Sequence, residues 1–286
     1  MTEKTRVLIL TTAYLPQVGG SELAIKNITD RLPGIYFDLI TPRPSKGLPE
    51  YEKVGNINVY RVGNSLSRLS FLLPKSFFPV AVFLKACQLI HKHGRYDIIH
   101  AYQASQAAGG GWLLKWRYLD IPFLVTVQEG KELNKQSLLT RFFRYLIFGK
   151  VDEVTAISNY LAQYVKSQNS KVPIKIVPNG VDLNLFKPRG GHVDSNKIIT
   201  VSRLVEKNGV GDLIEAMSVI RSEFPDHRLQ IIGSGPLEKK LKLQVKNLNL
   251  ENKVEFLGEI SNDLLPKYLS EADIFVRPSR SEGLGS

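Results

Sequence analysis

The feature that most narrows the fold is a rhythm of short β-branched runs separated by longer amphipathic ones. The runs "RVLILT", "YFDLIT", "INVYRV", "YDIIHAY", "PFLVTVQ", "DEVTAIS" and "IKIVP" read as strands. Most are separated by stretches of helical period, at 21–32, 74–93, 105–118, 137–150 and 159–167. Strands that alternate with helices build a parallel sheet covered on both faces, because each crossover needs a helix to return the chain. After "PNGVDLNLFKPRGGHVDSN" the rhythm begins again. Pro188, Gly190 and Gly191, among polar neighbours, read as a linker. "KIITVS", helix 209–224, "RLQIIG", helix 236–248, "KVEFLG", helix 263–272 and "DIFVRPS" follow. The first of these helices sets Val210, Leu213, Ile214, Met217, Ile220 and Phe224 on one side, as a core-facing helix does. Pro236 stands where a first helical turn accepts proline. The expected fold is α/β: two Rossmann-like doubly wound domains, 1–190 and 191–286. The second supplies four strands and three helices where such a domain has five or six strands. It is therefore expected to be incomplete, short of about two strand–helix units at ~30 residues each.

Charge divides the chain at the same place. Residues 1–190 hold 25 Lys and Arg against 13 Asp and Glu, whereas 191–286 hold 13 against 14. The whole formal excess of +11 thus sits in the first part. Such an excess points to an anionic partner or to a solvated basic face. The single cysteine, Cys87, lies in an apolar helical pattern and reads as a buried core thiol. A lone thiol excludes an intrachain disulfide and a cysteine zinc site, and fits a reducing cytoplasm. Val7 to Leu10 are too short for a secretion signal, and "FFPVAVFLKACQLI", broken by Pro79 and Lys85, is too short for a membrane span. His91 and His93, two apart on a helix, read as a solvated pair.

Several familiar sites are missing. There is no Asp-x-Asp metal pair, no G-x-x-x-x-G-K-[ST] loop and no G-x-S-x-G elbow. "GSGPLE" opens a helix after a strand, but Glu238 stands where a dinucleotide fingerprint has Gly or Ala. What remains is a set of glycine-rich and basic loops at the carboxyl ends of strands, where doubly wound sheets bind ligands. In "YLPQVGGSE", Gly19 and Gly20 would let backbone approach an anion at a helix N-terminus. In "SRLVEKNG", Arg203 and Lys207 could both reach one diphosphate. In "SRSEGLGS", Glu282 could accept from sugar hydroxyls, while the amides of Gly283, Leu284, Gly285 and Ser286 face phosphate. Taken singly, each loop is equally a tight turn or a surface ion pair; the recurrence at matching strand ends is what turn geometry does not explain.

The ordered set "YLPQVGGSE", "ISNYLAQYV", "PNGVDLNLF", "SRLVEKNGVGDLIEAM", "IIGSGPL", "FLGEIS" and "ADIFVRPSRSEGLG" resembles family 4 glycosyltransferases of the GT-B fold. The resemblance runs from the first strand to the last residue. It implies a retaining, metal-independent hexosyltransferase that moves a sugar from a nucleotide donor to an acceptor hydroxyl. It also implies an N-terminal acceptor-side domain and a C-terminal donor domain facing each other across a cleft. By the same resemblance, Arg203 and Lys207 neutralise the donor diphosphate. Glu282 is the first Glu of a Glu-x₇-Glu motif and contacts the donor sugar. Gly19 and Gly20 belong to a loop that meets the donor phosphates, and Gly233 and Gly235 to the loop beside the nucleoside. Gly283, Leu284 and Gly285 continue the phosphate loop. One departure stands out: many relatives have His where this chain has Gln128, followed by Glu129. Gln can hold a sugar hydroxyl but cannot carry a proton; it is equally a polar cap at a strand end.

Expected partners are a nucleotide-sugar donor and a glycan or lipid-linked acceptor, with no cofactor and no metal. No nucleic-acid signature accompanies the charge. From Arg61 to Lys150 there are 13 basic and 4 acidic residues. The apolar-plus-basic stretches "SRLSFLLPKSFFPVAVFLK" and "LLTRFFRYLIFGK" lie here; they read either as core helices or as segments that touch anionic lipid. The expected location is cytoplasmic, with peripheral contact at the inner face of the membrane, in cell-surface polysaccharide or glycolipid synthesis. The alternatives are a sugar-nucleotide epimerase or phosphorylase on the same fold, or a non-catalytic fragment that binds nucleotide sugar.

Overall fold

The computed structural model describes residues 4–17, 19–45, 47–63, 77–128, 136–168, 171–187 and 195–280. The described residues up to Asn179 form one compact unit and those from Gly180 a second. The division falls inside "PNGVD", while the linker read at Pro188, Gly190 and Gly191 lies outside the described residues.

The first unit runs β1 (Arg6–Leu10), α1 (Gly20–Asp30), β2 (Tyr36–Pro42), β3 (Tyr51–Val54), β4 (Ile57–Val62), α2 (Phe78–His93) and β5 (Ile98–Tyr102). It continues with α3 (Gln106–Arg117), β6 (Phe123–Val127), α4 (Leu138–Phe148), β7 (Glu153–Ala156), α5 (Asn159–Ser167) and β8 (Ile174–Ile176). Its sheet has the order β3-β4-β2-β1-β5-β6-β7-β8. Val7 to Leu10 of β1 are all buried, and the strand pairs in parallel with β2 on one side and β5 on the other. Such a strand is covered on both faces and is apolar without alternation. Helices α2 to α5 seal one face through Val82, Leu89, Leu114, Phe148 and Leu161, while Ile25 of α1 packs under the other. Each such buried side chain is worth ~1.5–3 kcal/mol.

The sequence reading omitted β3. It is a charged edge strand, antiparallel to β4 and joined to it through Gly55 and Asn56. Gly55 has φ +56°, as a two-residue hairpin demands. The run Gly109-Gly110-Gly111 sits inside α3. A Cβ on Gly110 would strike Val82 of α2, and one on Gly111 would strike Phe123 of β6. The glycines thus bring α3 close to its neighbours, which outweighs their poor helix propensity. At the far end of α3, Lys115 donates to the Ile121 carbonyl at 2.9 Å and pairs with Asp152 at 2.7 Å. Asp152 also accepts from the Phe123 amide at 2.7 Å, fixing α3 to β6 and β7. Cys87 is half-buried against this core rather than fully buried, because its side of α2 turns toward solvent.

The second unit runs β9 (Lys197–Val201), a 3-10 turn (Glu206–Asn208), α6 (Val210–Ile220), β10 (Arg228–Ile232), α7 (Glu238–Asn247), β11 (Val254–Gly258), α8 (Leu265–Ser270) and β12 (Ile274–Phe275). Its sheet is all parallel, in the order β11-β10-β9-β12. Val210, Leu213, Ile214 and Met217 of α6 are buried and Ile220 packs against them. Phe224 lies beyond the end of α6 and is exposed. The two sheets make this an α/β chain of two Rossmann-like units, the second smaller.

Candidate functional site

In each unit the chain leaves a central strand in one direction and later resumes on its other side. That reversal opens a crevice beyond the carboxyl ends of the two adjacent strands. In the second unit the reversal lies between β9 and β12. The residues after β9 are "SRLVEKNG" and the described residues after β12 are "VRPSR", so these two segments flank one crevice.

Backbone hydrogen bonds fix the loops to one another. Ser202 N donates to Ile232 O at 2.9 Å, Leu204 N to Ser234 O at 2.8 Å and Leu237 N to Leu204 O at 3.2 Å. These bonds press the Arg203 loop onto "GSGP". The contact has no room for a side chain: a Cβ on Gly233 would strike the Ser202 carbonyl, and one on Gly235 the backbone of Leu204. Gly233 also has φ +128°, a conformation that L side chains rarely adopt. Both glycines therefore earn their place by close backbone packing, whatever they also do for a ligand.

Arg203 extends into solvent, and among the described residues nothing pairs with its guanidinium. Its carbonyl accepts from Asn208 Nδ2 at 2.7 Å, which holds the loop's curvature. Lys207 is half-buried in the 3-10 turn, and its carbonyl accepts from Arg280 N at 2.7 Å. Arg280 itself grips Asp212 with two bonds of 3.0 and 2.6 Å, and reaches Glu206 at 3.2 Å. The Arg280 hydrogen bond holds the Asp212 carboxyl below its ordinary range. Arg277 Nη1 donates to Val201 O at 2.9 Å and so ties the β12 loop to the end of β9. Arg280, Asp212, Arg277 and Asn208 were absent from the sequence reading. Arg280 stands beside Glu282 in "SRSEG" and was the nearest signal. Glu282, Gly283, Leu284 and Gly285 lie outside the described residues.

Gly19, Gly20 and Gln128 belong to the first unit. Gly19 precedes α1 with extended backbone, and a Cβ there would meet the Glu22 carboxylate. Gly20 opens α1 with nothing within 4 Å of its Cβ position. Gln128 follows β6, and its Nε2 donates to Asn179 Oδ1 at 3.0 Å. That long-range bond gives the "PNGVD" asparagine a role that the sequence alone did not reveal. In the adjacent strands, His100 Nε2, Thr126 Oγ1 and Thr155 Oγ1 form a ladder with both steps at 2.7 Å. Burial pushes the His100 pKa down to about 4, so the imidazole is neutral. Among the described residues there is no cluster of three His, Cys, Asp or Glu able to hold a metal ion, and no helix long and apolar enough to cross a membrane.

With this geometry in view, the likeness to known proteins is direct. The family described as Glycosyltransferase Family 4 matches residues 18–185, and that described as Glycosyl transferases group 1 matches 184–286. The chain belongs to glycosyltransferase family 4. An uncharacterized glycosyltransferase of Methanocaldococcus jannaschii is 29% identical over 283 residues, covering 97% of this chain and 74% of the relative. A GDP-mannose-dependent alpha-(1-6)-phosphatidylinositol monomannoside mannosyltransferase of Mycolicibacterium smegmatis is 26% identical, covering 98% of this chain and 74% of the relative. Among solved structures, sucrose-phosphate synthase from Thermosynechococcus elongatus superposes with a TM-score of 0.80 at 21% identity, over 99% of this chain and 77% of its own. Fold and family agree: this is a GT-B chain of a retaining family that uses nucleotide-sugar substrates.

Proposed function

We propose that the family 4 chain transfers a hexose, with retention and without a metal, from a nucleotide diphosphate donor to a hydroxyl on a lipid-linked acceptor. In this reading the second unit holds the donor and the first unit the acceptor, at the cytoplasmic face of a membrane in glycolipid or cell-surface polysaccharide synthesis. The observation that carries it is the β9 loop at the sheet's reversal point, which carries Arg203 and Lys207: its Ser202–Leu204 part is braced against "GSGP" and the Lys207 carbonyl is held by Arg280 N. The acceptor class draws support from the phosphatidylinositol mannoside substrate named for the M. smegmatis relative.

Departure of the diphosphate builds negative charge on its oxygens and positive charge on the sugar ring. Fixed cations at the leaving group stabilise that separation more than they stabilise the intact donor. Arg203 offers a planar fork for two phosphate oxygens, and Lys207 a point charge. Gly19 and Gly20 leave the α1 N-terminus of the first unit open to the approach of an anion. Gly283, Leu284 and Gly285 add amide dipoles, and Glu282 accepts from hydroxyls of the donor sugar. Gln128, oriented by Asn179, holds a sugar hydroxyl and moves no proton. The acceptor's proton passes to the leaving phosphate oxygen on the same face, which accounts for retention without a protein nucleophile. Incubation with UDP- and GDP-sugars and a short-chain lipid-linked acceptor, read by mass spectrometry and anomeric proton NMR, tests the scheme. The expected product keeps the donor's anomeric configuration, and Arg203→Ala or Lys207→Ala lowers turnover at least ~10²-fold. Inverted product, or normal turnover in both variants, overturns it.

A further inference from the structure

Arg280 binds three parts of the β9 segment at once. Its Nε and Nη2 take both oxygens of Asp212, in the first turn of α6, at 3.0 and 2.6 Å. Its Nη1 donates to Glu206, in the 3-10 turn, at 3.2 Å. Its backbone amide donates at 2.7 Å to the carbonyl of Lys207, which lies between those two carboxylates in the chain. Gly209 makes the arrangement possible. Its φ of +65° turns the chain from the 3-10 turn into α6, and a Cβ there would strike the Pro278 carbonyl, so α6 begins against the β12 loop. Each nitrogen of the Arg280 guanidinium already serves a carboxylate, which suits the side chain to holding the loops rather than to meeting a phosphate. Two carboxylates on a loop that receives an anion would also repel it unless a cation cancelled them. An exposed ion pair adds little to stability. A planar, two-bonded fork at this place therefore contributes more to position than to folding.

We infer that Arg280 is a positioning residue of the donor site: by clamping Glu206 and Asp212 it fixes the turn that aims Lys207 at the donor diphosphate. The inference rests on the phosphate-binding role proposed above for Lys207. Arg280 and Asp212 act through Lys207 and make no contact with the donor themselves. The clamp joins the loop after β12 to the loop after β9, so the two sides of the crevice hold their spacing while the diphosphate enters and leaves.

Isothermal titration of the 286-residue chain with UDP, UMP, GDP and GMP tests this, with thermal midpoints measured on the same proteins. The readout is the ratio of diphosphate to monophosphate affinity, which a loss of stability alone does not move. Arg280→Met should lower the ratio for the preferred base at least ~3-fold, the scale of coupling within one network. Arg280→Lys keeps the charge but loses the fork, and should lower it likewise. Asp212→Asn separates positioning from simple charge. Removing an anion from this loop would by Coulomb attraction alone strengthen diphosphate binding; loosening the clamp weakens it, so the ratio should fall here too. In a Lys207→Ala background Arg280→Met should cause no further loss, because its effect passes through Lys207. Glu255→Gln, an exposed carboxylate on β11, should match wild type. Should Arg280→Met fail to fold, Arg280→Lys and Asp212→Asn carry the test. A ratio unchanged in the Arg280 variants, or raised in Asp212→Asn, overturns the proposal. So does an equal loss with and without Lys207, the result of Arg280 meeting phosphate itself. Wild type with no diphosphate preference overturns the transferase reading as well, whereas a wild-type preference that survives every change at Arg280 and Asp212 overturns this inference alone.

Discussion

Replacing Gly233 with Ala introduces one methyl group at the tightest point of the donor loops. The backbone there has φ +128°, and the new Cβ would run into the Ser202 carbonyl. Neither side can yield cheaply, because Ser202 N is bonded to Ile232 O at 2.9 Å and Gly233 N to Gly258 O at 2.7 Å. The strained backbone costs about 1–3 kcal/mol. Forcing a methyl into packed backbone costs a similar ~1–3 kcal/mol. Together they destabilise by about 2–6 kcal/mol, a shift of roughly 1–3 M in the urea midpoint at ~2 kcal/mol per M. Circular dichroism during urea unfolding measures the shift. The part of the strain that remains in the folded state displaces the Arg203 loop, so UDP or GDP should bind more weakly to the folded variant. Gly20→Ala supplies the contrast, since nothing lies within 4 Å of its Cβ position at the start of α1. That change should leave stability equal or raise it by ~0.4–1 kcal/mol. A Gly233→Ala protein that unfolds at the same urea concentration as wild type would refute the steric account of this loop.

His100 sets a pH dependence. Its pKa falls to about 4 in the folded chain from 6.5, and the cause is burial. Above pH 6.5 it is neutral in both states and costs nothing; as pH drops toward 4 only the unfolded chain gains the proton, so stability is lost across that window by about 3 kcal/mol. Urea titrations at pH 7 and pH 4.5 should show this loss in wild type and a smaller one in His100→Gln. Gly110→Ala should destabilise the first unit by ~1–3 kcal/mol through collision with Val82, measured in the same assay.

The alternation of apolar runs and helical periods made nearly all of the two sheets legible, because parallel strands buried on both faces announce themselves as uninterrupted β-branched runs. Tyr51 to Val54 escaped because an edge strand leaves Lys53 in water and Glu52 half-buried, although the Gly55-Asn56 pair after it is a hairpin signal. The donor loops were legible as glycines and cations at strand ends. Their mutual bracing was not, since Leu204 to Ser234 and Lys207 to Arg280 are backbone bonds that carry no residue preference. The Gln128–Asn179 bond spans 51 positions and has no local signature. The "LLTRFFRYLIFGK" stretch left its orientation open. Its period is the same whether the apolar side faces in or out, and only the inward Arg144 decides it.

The account turns on Arg203 and Lys207 holding the donor through its diphosphate. Isothermal titration of wild type and Arg203→Ala/Lys207→Ala with UDP, UMP, GDP and GMP isolates that contribution. Wild type should bind the diphosphate of its preferred base at least ~10-fold tighter than the monophosphate, and the double variant should bind both equally weakly, since one such charged contact is worth ~1.5–3 kcal/mol. A diphosphate preference that survives undiminished in the double variant would contradict it.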